Sequence, residues 1–195
     1  MSGPAYTRLD VDERRRRLLE RGAELFEHHA YDELSMAQIA RAAGISKALL
    51  YHYFPSKQAY FAATLEQAAG ELAAAIEPDA TLPPVEQLSA SVDAYLTWVD
   101  EHAQAYTKLM QSLGVVPEVR ETVDRVRRET ADRIIAGIAP HGSPTPALRA
   151  AVRGWLWFMD GALEDWIEHR DMDRAQLHGL LLGTLLGAVG AANAI

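Results

Sequence analysis

Lys47, Ala48, Tyr51 and His52 are spaced so that a short helix puts them on one side, and Lys57 follows just beyond Pro55. A small residue, two basic ones and an aromatic ring facing outward together make the surface that a DNA groove accepts. The residues around them supply the scaffold for such a surface. Ser35 with Gln38 three residues on is a capping box, in which a side-chain oxygen serves orphan N–H groups and an amide reaches back. Met36, Ile39, Ala40 and Ala43 follow at helical spacing on one face. Gly44 tolerates a positive φ and can end that helix in a sharp turn. Ser46 can cap the next helix, whose inward residues are Leu49, Leu50 and Tyr53. Two short helices about a glycine turn form a helix-turn-helix, here at about residues 35–54.

Other chemistry is poorly supplied. The chain has no cysteine, which excludes a disulfide framework and thiolate metal sites. No H-E-x-x-H, G-x-S-x-G or phosphate-loop pattern occurs. His28 and His29 are adjacent and point about 100° apart on a helix, so they do not form a ligand pair. No catalytic residue, metal or cofactor is expected, and a helical enzyme is the weakest alternative. The formal charge of −8 looks wrong for a DNA binder until it is divided. Residues 1–60 carry nine Lys/Arg against eight Asp/Glu, which leaves ten against nineteen for residues 61–195. The acid therefore sits away from the candidate reading surface.

The run A-x-x-A-G-I-S-K-x-x-L-Y-x-Y-F-x-S-K at residues 40–57 resembles the DNA-binding region of the tetracycline-repressor (TetR) family of bacterial regulators. The match spans roughly residues 12–72, and the L-Y-x-Y-F-x-S-K ending makes it specific. The resemblance implies an all-α fold of about nine helices. An N-terminal three-helix DNA-binding head at 12–72 would precede a helical ligand-binding and dimerisation domain at 73–195. It implies DNA contacts at Ser35, Met36, Ser46, Lys47, Ala48, Tyr51, His52 and Lys57. Lys47 and Lys57 would serve phosphate, Ser46 would add its N–H or hydroxyl, and the Tyr51 hydroxyl would reach phosphate while its ring touches a thymine methyl. His52 is the residue expected to make a contact peculiar to this protein.

Helical periodicity covers the rest of the chain, and no alternating strand pattern occurs. Residues 1–11, with Gly3, Pro4 and Arg8, read as a flexible arm. Asp12 can cap the first helix, which presents Leu18, Gly22, Leu25 and Phe26 inward, and Arg14–Arg17 make a basic first turn. A long helix from Ser56 carries Phe61, Leu65, Ala68, Leu72 and Ile76 and links the two domains. One helix opens at Pro83-Pro84, and another carries Tyr106, Leu109, Met110 and Leu113 to Gly114. Others follow Pro117 and the Pro140–Pro146 loop, and a second capping box at Asp173 and Gln176 opens the last one.

By the resemblance, Trp98, His102, Tyr106, Met110, Trp155, Phe158, Met159 and Leu163 line a pocket for an apolar or aromatic inducer of unknown identity. Gly179, Gly183 and Gly187 strip one face of the last helix at four-residue intervals and invite another helix. With Leu156, Trp166, Leu182 and Leu186 they are the expected homodimer interface. The uncharged C-terminal run from Gly179 falls short of the ~20 residues of a membrane span and is expected to be a buried helix rather than a membrane segment. The expected protein is a cytoplasmic repressor that binds a palindromic DNA operator as a homodimer and is released by its inducer. A DNA-binding regulator with no small ligand is the alternative.

Overall fold

The computed structural model describes residues 8–77, 79–140 and 142–194. Among the described residues the regular elements are nine α-helices and one short 3-10 turn, with no strand. In order they are α1 Arg8–His28, the turn Tyr31–Glu33, α2 Met36–Ala42, α3 Lys47–Tyr53 and α4 Lys57–Ala75. Then come α5 Pro84–Glu101, α6 Ala103–Ser112, α7 Pro117–Ile138, α8 Pro146–His169 and α9 Arg174–Asn193. Helix α1 begins at Arg8, four residues ahead of the Asp12 cap read from the sequence. Of the expected arm, residues 1–7 lie outside the described residues.

The described chain divides into two compact units, with boundaries inside α4, at the start of α6 and inside α7. The first comprises the residues up to Gly70 together with Gln104–Thr122. The second comprises Glu71–Ala103 and the residues from Val123 onward. The grouping of 104–122 with the N-terminal helices is not visible in the sequence, because periodicity says which face is apolar and not which helix covers it.

The first unit is built on aromatic packing of α1 and the end of α3 against α4. Phe26 meets Phe61 edge to face at 4.4 Å, and Phe54 meets Tyr60 at 4.9 Å. Tyr60 is fully buried and its hydroxyl donates to the Leu18 carbonyl at 2.6 Å. Burial pushes the pKa of that hydroxyl up, so it stays a protonated donor. Gly22 lets the two helices close on each other at this point, since a Cβ there would lie 2.7 Å from the Tyr60 hydroxyl.

Helix α2 starts where its sequence places the cap. Ser35 Oγ accepts from the Gln38 N–H at 3.3 Å, and Gln38 Oε1 accepts from the Ser35 N–H at 2.9 Å. Ser35→Ala is expected to cost about 1 kcal/mol, the usual value of an N-cap. Faster amide exchange at Gln38, with a correspondingly lower melt, checks it.

In the second unit α8 packs most extensively on α9, which also packs on α5. Leu163, Leu177, Leu181 and Leu185 are fully buried there. The indole N–H of Trp155 donates to the Leu181 carbonyl at 2.9 Å, so the ring spans the α8–α9 contact without leaving a polar atom unpaired. A polar ridge on α5 holds α9 and the turn before it. His178 Nε2 lies 3.0 Å from the Ser89 carbonyl, Arg174 reaches Thr97 and Asp93, and Arg170 pairs with Asp100 at 2.6 Å. Arg170 takes a left-handed φ of 52° to end α8, a position that usually selects glycine. Between α7 and α8, the half-buried Arg127 pairs with Asp160 at 2.6 Å, and its guanidinium lies 4.4 Å from the Trp157 ring centroid.

Candidate nucleic-acid interface

The α2–α3 turn follows from one backbone conformation. Gly44 has φ +67°, its N–H donates to the Arg41 carbonyl, and the Ile45 N–H donates to the Ala40 carbonyl at 3.0 Å. These bonds satisfy carbonyls that the end of α2 would leave orphaned. Ser46 then caps α3 by accepting from the Leu49 N–H at 3.1 Å. Leu50 is fully buried beneath the helix and Phe54 nearly so. The phase of α3 is thereby fixed, and Lys47, Ala48, Tyr51 and His52 are all exposed.

Tyr51 is 43% exposed, with the Lys47 ammonium 5.7 Å from its ring centroid. Among the described residues Lys47 reaches no carboxylate, so its charge is available to an incoming anion. Ser35 and Ser46 are also exposed.

Two expected contacts belong elsewhere. Met36 is 6% exposed because it faces inward with Ile39 and Ala40, so its side chain is core and only its backbone remains to offer a phosphate. Lys57 turns back onto the chain and donates to the Tyr31 and Leu34 carbonyls, both at 2.9 Å.

The run of four arginines separates just as clearly. Arg16 is held by Glu13 and Glu20, and Arg17 by Glu13. Their hydrogen bonds draw the Glu13 carboxyl below its ordinary pKa. The Arg15 guanidinium lies 5.4 Å from the Phe54 ring centroid. Arg14 borders a shallow cleft with Arg17, Arg21 and the α2–α3 turn. No sequence signal separates these four roles, because each depends on which neighbour lies within reach.

The residues expected to form a pocket fall in both units. Tyr106, buried, and Met110, half-buried, lie in the first. In the second, Trp98 stacks on His102 at 4.7 Å, Met159 is half-buried, and Trp155 and Leu163 are core. Phe158 is 41% exposed, because residues 154, 157, 158 and 161 share the outer side of α8.

The expected interface set is similarly redistributed. Leu156 and Trp166 face inward, the latter donating its indole N–H to the Met172 carbonyl at 2.8 Å. Gly179, Gly183, Leu186 and Gly187 are exposed, and Leu182 is half-buried. Trp157, at 63% exposure, and Leu180, at 41%, join them on the outer surface of α8 and α9. Sequence reading misses both, although Trp157 lies one turn from Gly154 and one from Gly161. The sequence leads one to expect α9 buried and shorter than a span. It is long and apolar enough to cross a membrane by length and composition, and 22% of its most apolar stretch is buried within the chain.

Known proteins carry the same construction. Residues 18–64 match the model of the tetR family of bacterial regulatory proteins, and residues 84–187 match a tetracyclin repressor-like C-terminal domain. The chain belongs to the tetracycline-repressor family. A tetR-family transcriptional regulator from Streptomyces coelicolor, of known crystal structure, is 30% identical. The two agree with a TM-score of 0.81 over 94% of this chain and 83% of that one. The transcriptional activator FasR of Mycolicibacterium smegmatis is 30% identical over 146 residues, or 73% of this chain and 66% of FasR. A transcriptional repressor of Mycobacterium tuberculosis is 25% identical over 124 residues, or 60% of this chain and 66% of that protein. The alignments thus span just under two-thirds of FasR and of the Mycobacterium tuberculosis repressor. Both signs of regulation occur among them.

Proposed function

We propose that this member of the family is a cytoplasmic, one-component regulator of transcription. It binds a palindromic DNA operator as a homodimer and represses until a small, largely apolar or aromatic inducer releases it. The observation that carries the DNA reading is the exposed face of α3. There a cap at Ser46 and a buried Leu50 leave Lys47, Ala48, Tyr51 and His52 outward, with Lys47 unclaimed by any carboxylate among the described residues. Lys47 supplies phosphate neutralisation and Tyr51 a hydroxyl with an aromatic edge. His52 supplies the element of sequence choice.

One such helix reads only a few base pairs. Two related by a twofold axis read half-sites about 34–36 Å apart or a multiple of it. The outer face of α8 and α9 supports that pairing, because exposed Trp157, Phe158, Leu180 and Leu186 accompany its glycines. The inducer acts by binding better to the conformation whose reading helices are mis-spaced. The stacked, half-buried Trp98–His102 pair and Met159 are the soft, flat surfaces an aromatic molecule would use.

The test is a selection on random duplexes, titrated with salt and repeated with Lys47→Ala and Tyr51→Ala. The wild type should enrich a palindrome bound by two chains. Lys47→Ala should weaken all sequences alike and lower the salt slope by about 0.9 for each phosphate left without its cation. Tyr51→Ala should cost about 1–3 kcal/mol per half-site and relax the choice of base. Enrichment of no duplex above non-specific binding at physiological salt would reject the reading.

A further inference from the structure

Lys57 occupies a built seat on the protein itself. It lies in the first turn of α4, just after Ser56, whose hydroxyl caps that helix by accepting from the Ala59 N–H at 3.0 Å. Its ammonium donates to the Tyr31 and Leu34 carbonyls at 2.9 Å each and lies 4.1 Å from the Tyr31 ring centroid. An ammonium has three donors, and two are already committed to backbone. One carbonyl belongs to the first residue of the 3-10 turn Tyr31–Glu33 and the other to Leu34 just after it, where helical bonding runs out and acceptors need outside partners. The same connection is pinned by the Tyr31 ring against Phe61 of α4 at 5.2 Å and by the buried Leu34 side chain. Leu34 directly precedes Ser35, the cap of α2, and α2 in turn packs on α3.

We propose that Lys57 is a positioning residue for DNA binding and not a phosphate ligand. Its ammonium bolts the start of α4 to the Tyr31–Leu34 connection and so fixes the orientation of the α2–α3 pair that presents Lys47 and Tyr51. The charge is spent inside the protein, where a cation over a ring and against two carbonyls replaces its water. This rests on the DNA-binding reading above. The two Lys residues of the motif then differ in kind: Lys47 is exposed toward a ligand, and Lys57 is part-buried in structure.

The experiment compares wild type, Lys57→Met and Lys47→Ala on a mixed-sequence duplex long enough for two half-sites. Affinity is measured against salt, well below each melting transition, and amide exchange is followed in the free chains. Lys57→Met should weaken binding about tenfold, the worth of one hydrogen-bonded charge, and leave the salt slope at the wild-type value. Its amide exchange should quicken around residues 31–40. Lys47→Ala should lower the slope by about 1.8, one phosphate for each of the two chains bound. A slope that falls with Lys57→Met as it does with Lys47→Ala overturns the proposal, and so does an unchanged affinity, which would leave Lys57 a role in stability only. Should Lys57→Met fail to fold, Lys57→Gln keeps a donor without the charge. The full slope with most of the affinity supports the proposal, and a reduced slope overturns it. If the wild type binds no duplex, the regulator reading falls and this one with it. A salt-dependent wild type with a reduced Lys57 slope overturns this one alone.

Discussion

Gly183→Leu should convert the protein to a single chain in solution while leaving that chain's own melt no lower than before. The two signs come from one observation. A Cβ built at Gly154, Gly161, Gly179, Gly183, Gly187 or Gly190 meets nothing within 4 Å in the single chain. Glycine inside a helix costs about 1 kcal/mol against alanine, so within one chain any side chain at these positions should help. Nothing in the isolated chain calls for glycine there. The proposed dimer would, because only a face without side chains lets a helix of a second copy approach closely. The same surface exposes Trp157 at 63%, Phe158 at 41%, Leu180 at 41% and Leu186 at 43%, large apolar groups that a second copy would cover.

Leucine at 183 overfills such a contact, at about 1–3 kcal/mol for each intrusion. A twofold axis counts it twice. Sedimentation across a concentration series reads the association, and a melt at low concentration reads the chain alone. On the proposed palindromic operator the consequence is larger still, since a single chain would engage one half-site and affinity should collapse. A Gly183→Leu protein that still sediments as a dimer would remove α9 from the interface and leave its glycines without an account.

What the sequence makes legible is whatever depends on neighbours along the chain. The Ser35–Gln38 and Asp173–Gln176 boxes, the Gly44 turn and the Ser46 cap all appear where their residues point to them, because capping is settled within four residues. Faces are legible too. Leu18, Gly22, Phe26, Ile39 and Leu50 are all buried. What fails is the assignment of a face to its partner. Leu156 and Trp166, expected between chains, lie in the core of one, while Trp157, on the other side of the helix, is the exposed ring. Both sides of α8 are apolar, so periodicity cannot rank them. Only the packing of α9 on one side does.

Lys57 fails for a related reason. A lysine near a groove-reading helix suits phosphate until two carbonyls from more than twenty residues earlier prove to be within its reach. Its partners are set by how α4 lies against the turn before α2, which no local pattern records.

Gly22→Ala should destabilise the first unit by about 2–4 kcal/mol, a large share of the 5–15 kcal/mol that usually holds a domain. The added methyl would sit 2.6 Å from Thr64 Oγ1 and 2.7 Å from the Tyr60 hydroxyl. Neither neighbour is free to retreat. Tyr60 is fully buried and tied by its hydroxyl to the Leu18 carbonyl, while Thr64 Oγ1 is bonded to the Tyr60 carbonyl at 2.9 Å. Overpacking accounts for about 1–3 kcal/mol and the strained buried hydrogen bond for about another 1.

Tyr60→Phe removes one of the two obstacles and should return part of the loss. The double variant should therefore be more stable than the sum of the singles predicts, the mark of residues in contact. Denaturant melts by circular dichroism, with amide exchange across α1 and α4, read the effect. Tryptophan fluorescence does not, because Trp98, Trp155, Trp157 and Trp166 all lie in the second unit. A Gly22→Ala protein that melts like the wild type would mean that α1 and α4 can part cheaply. The seat of Lys57 would then be a loose one, since the Tyr31–Phe61 contact that backs it belongs to the same α1–α4 aromatic cluster.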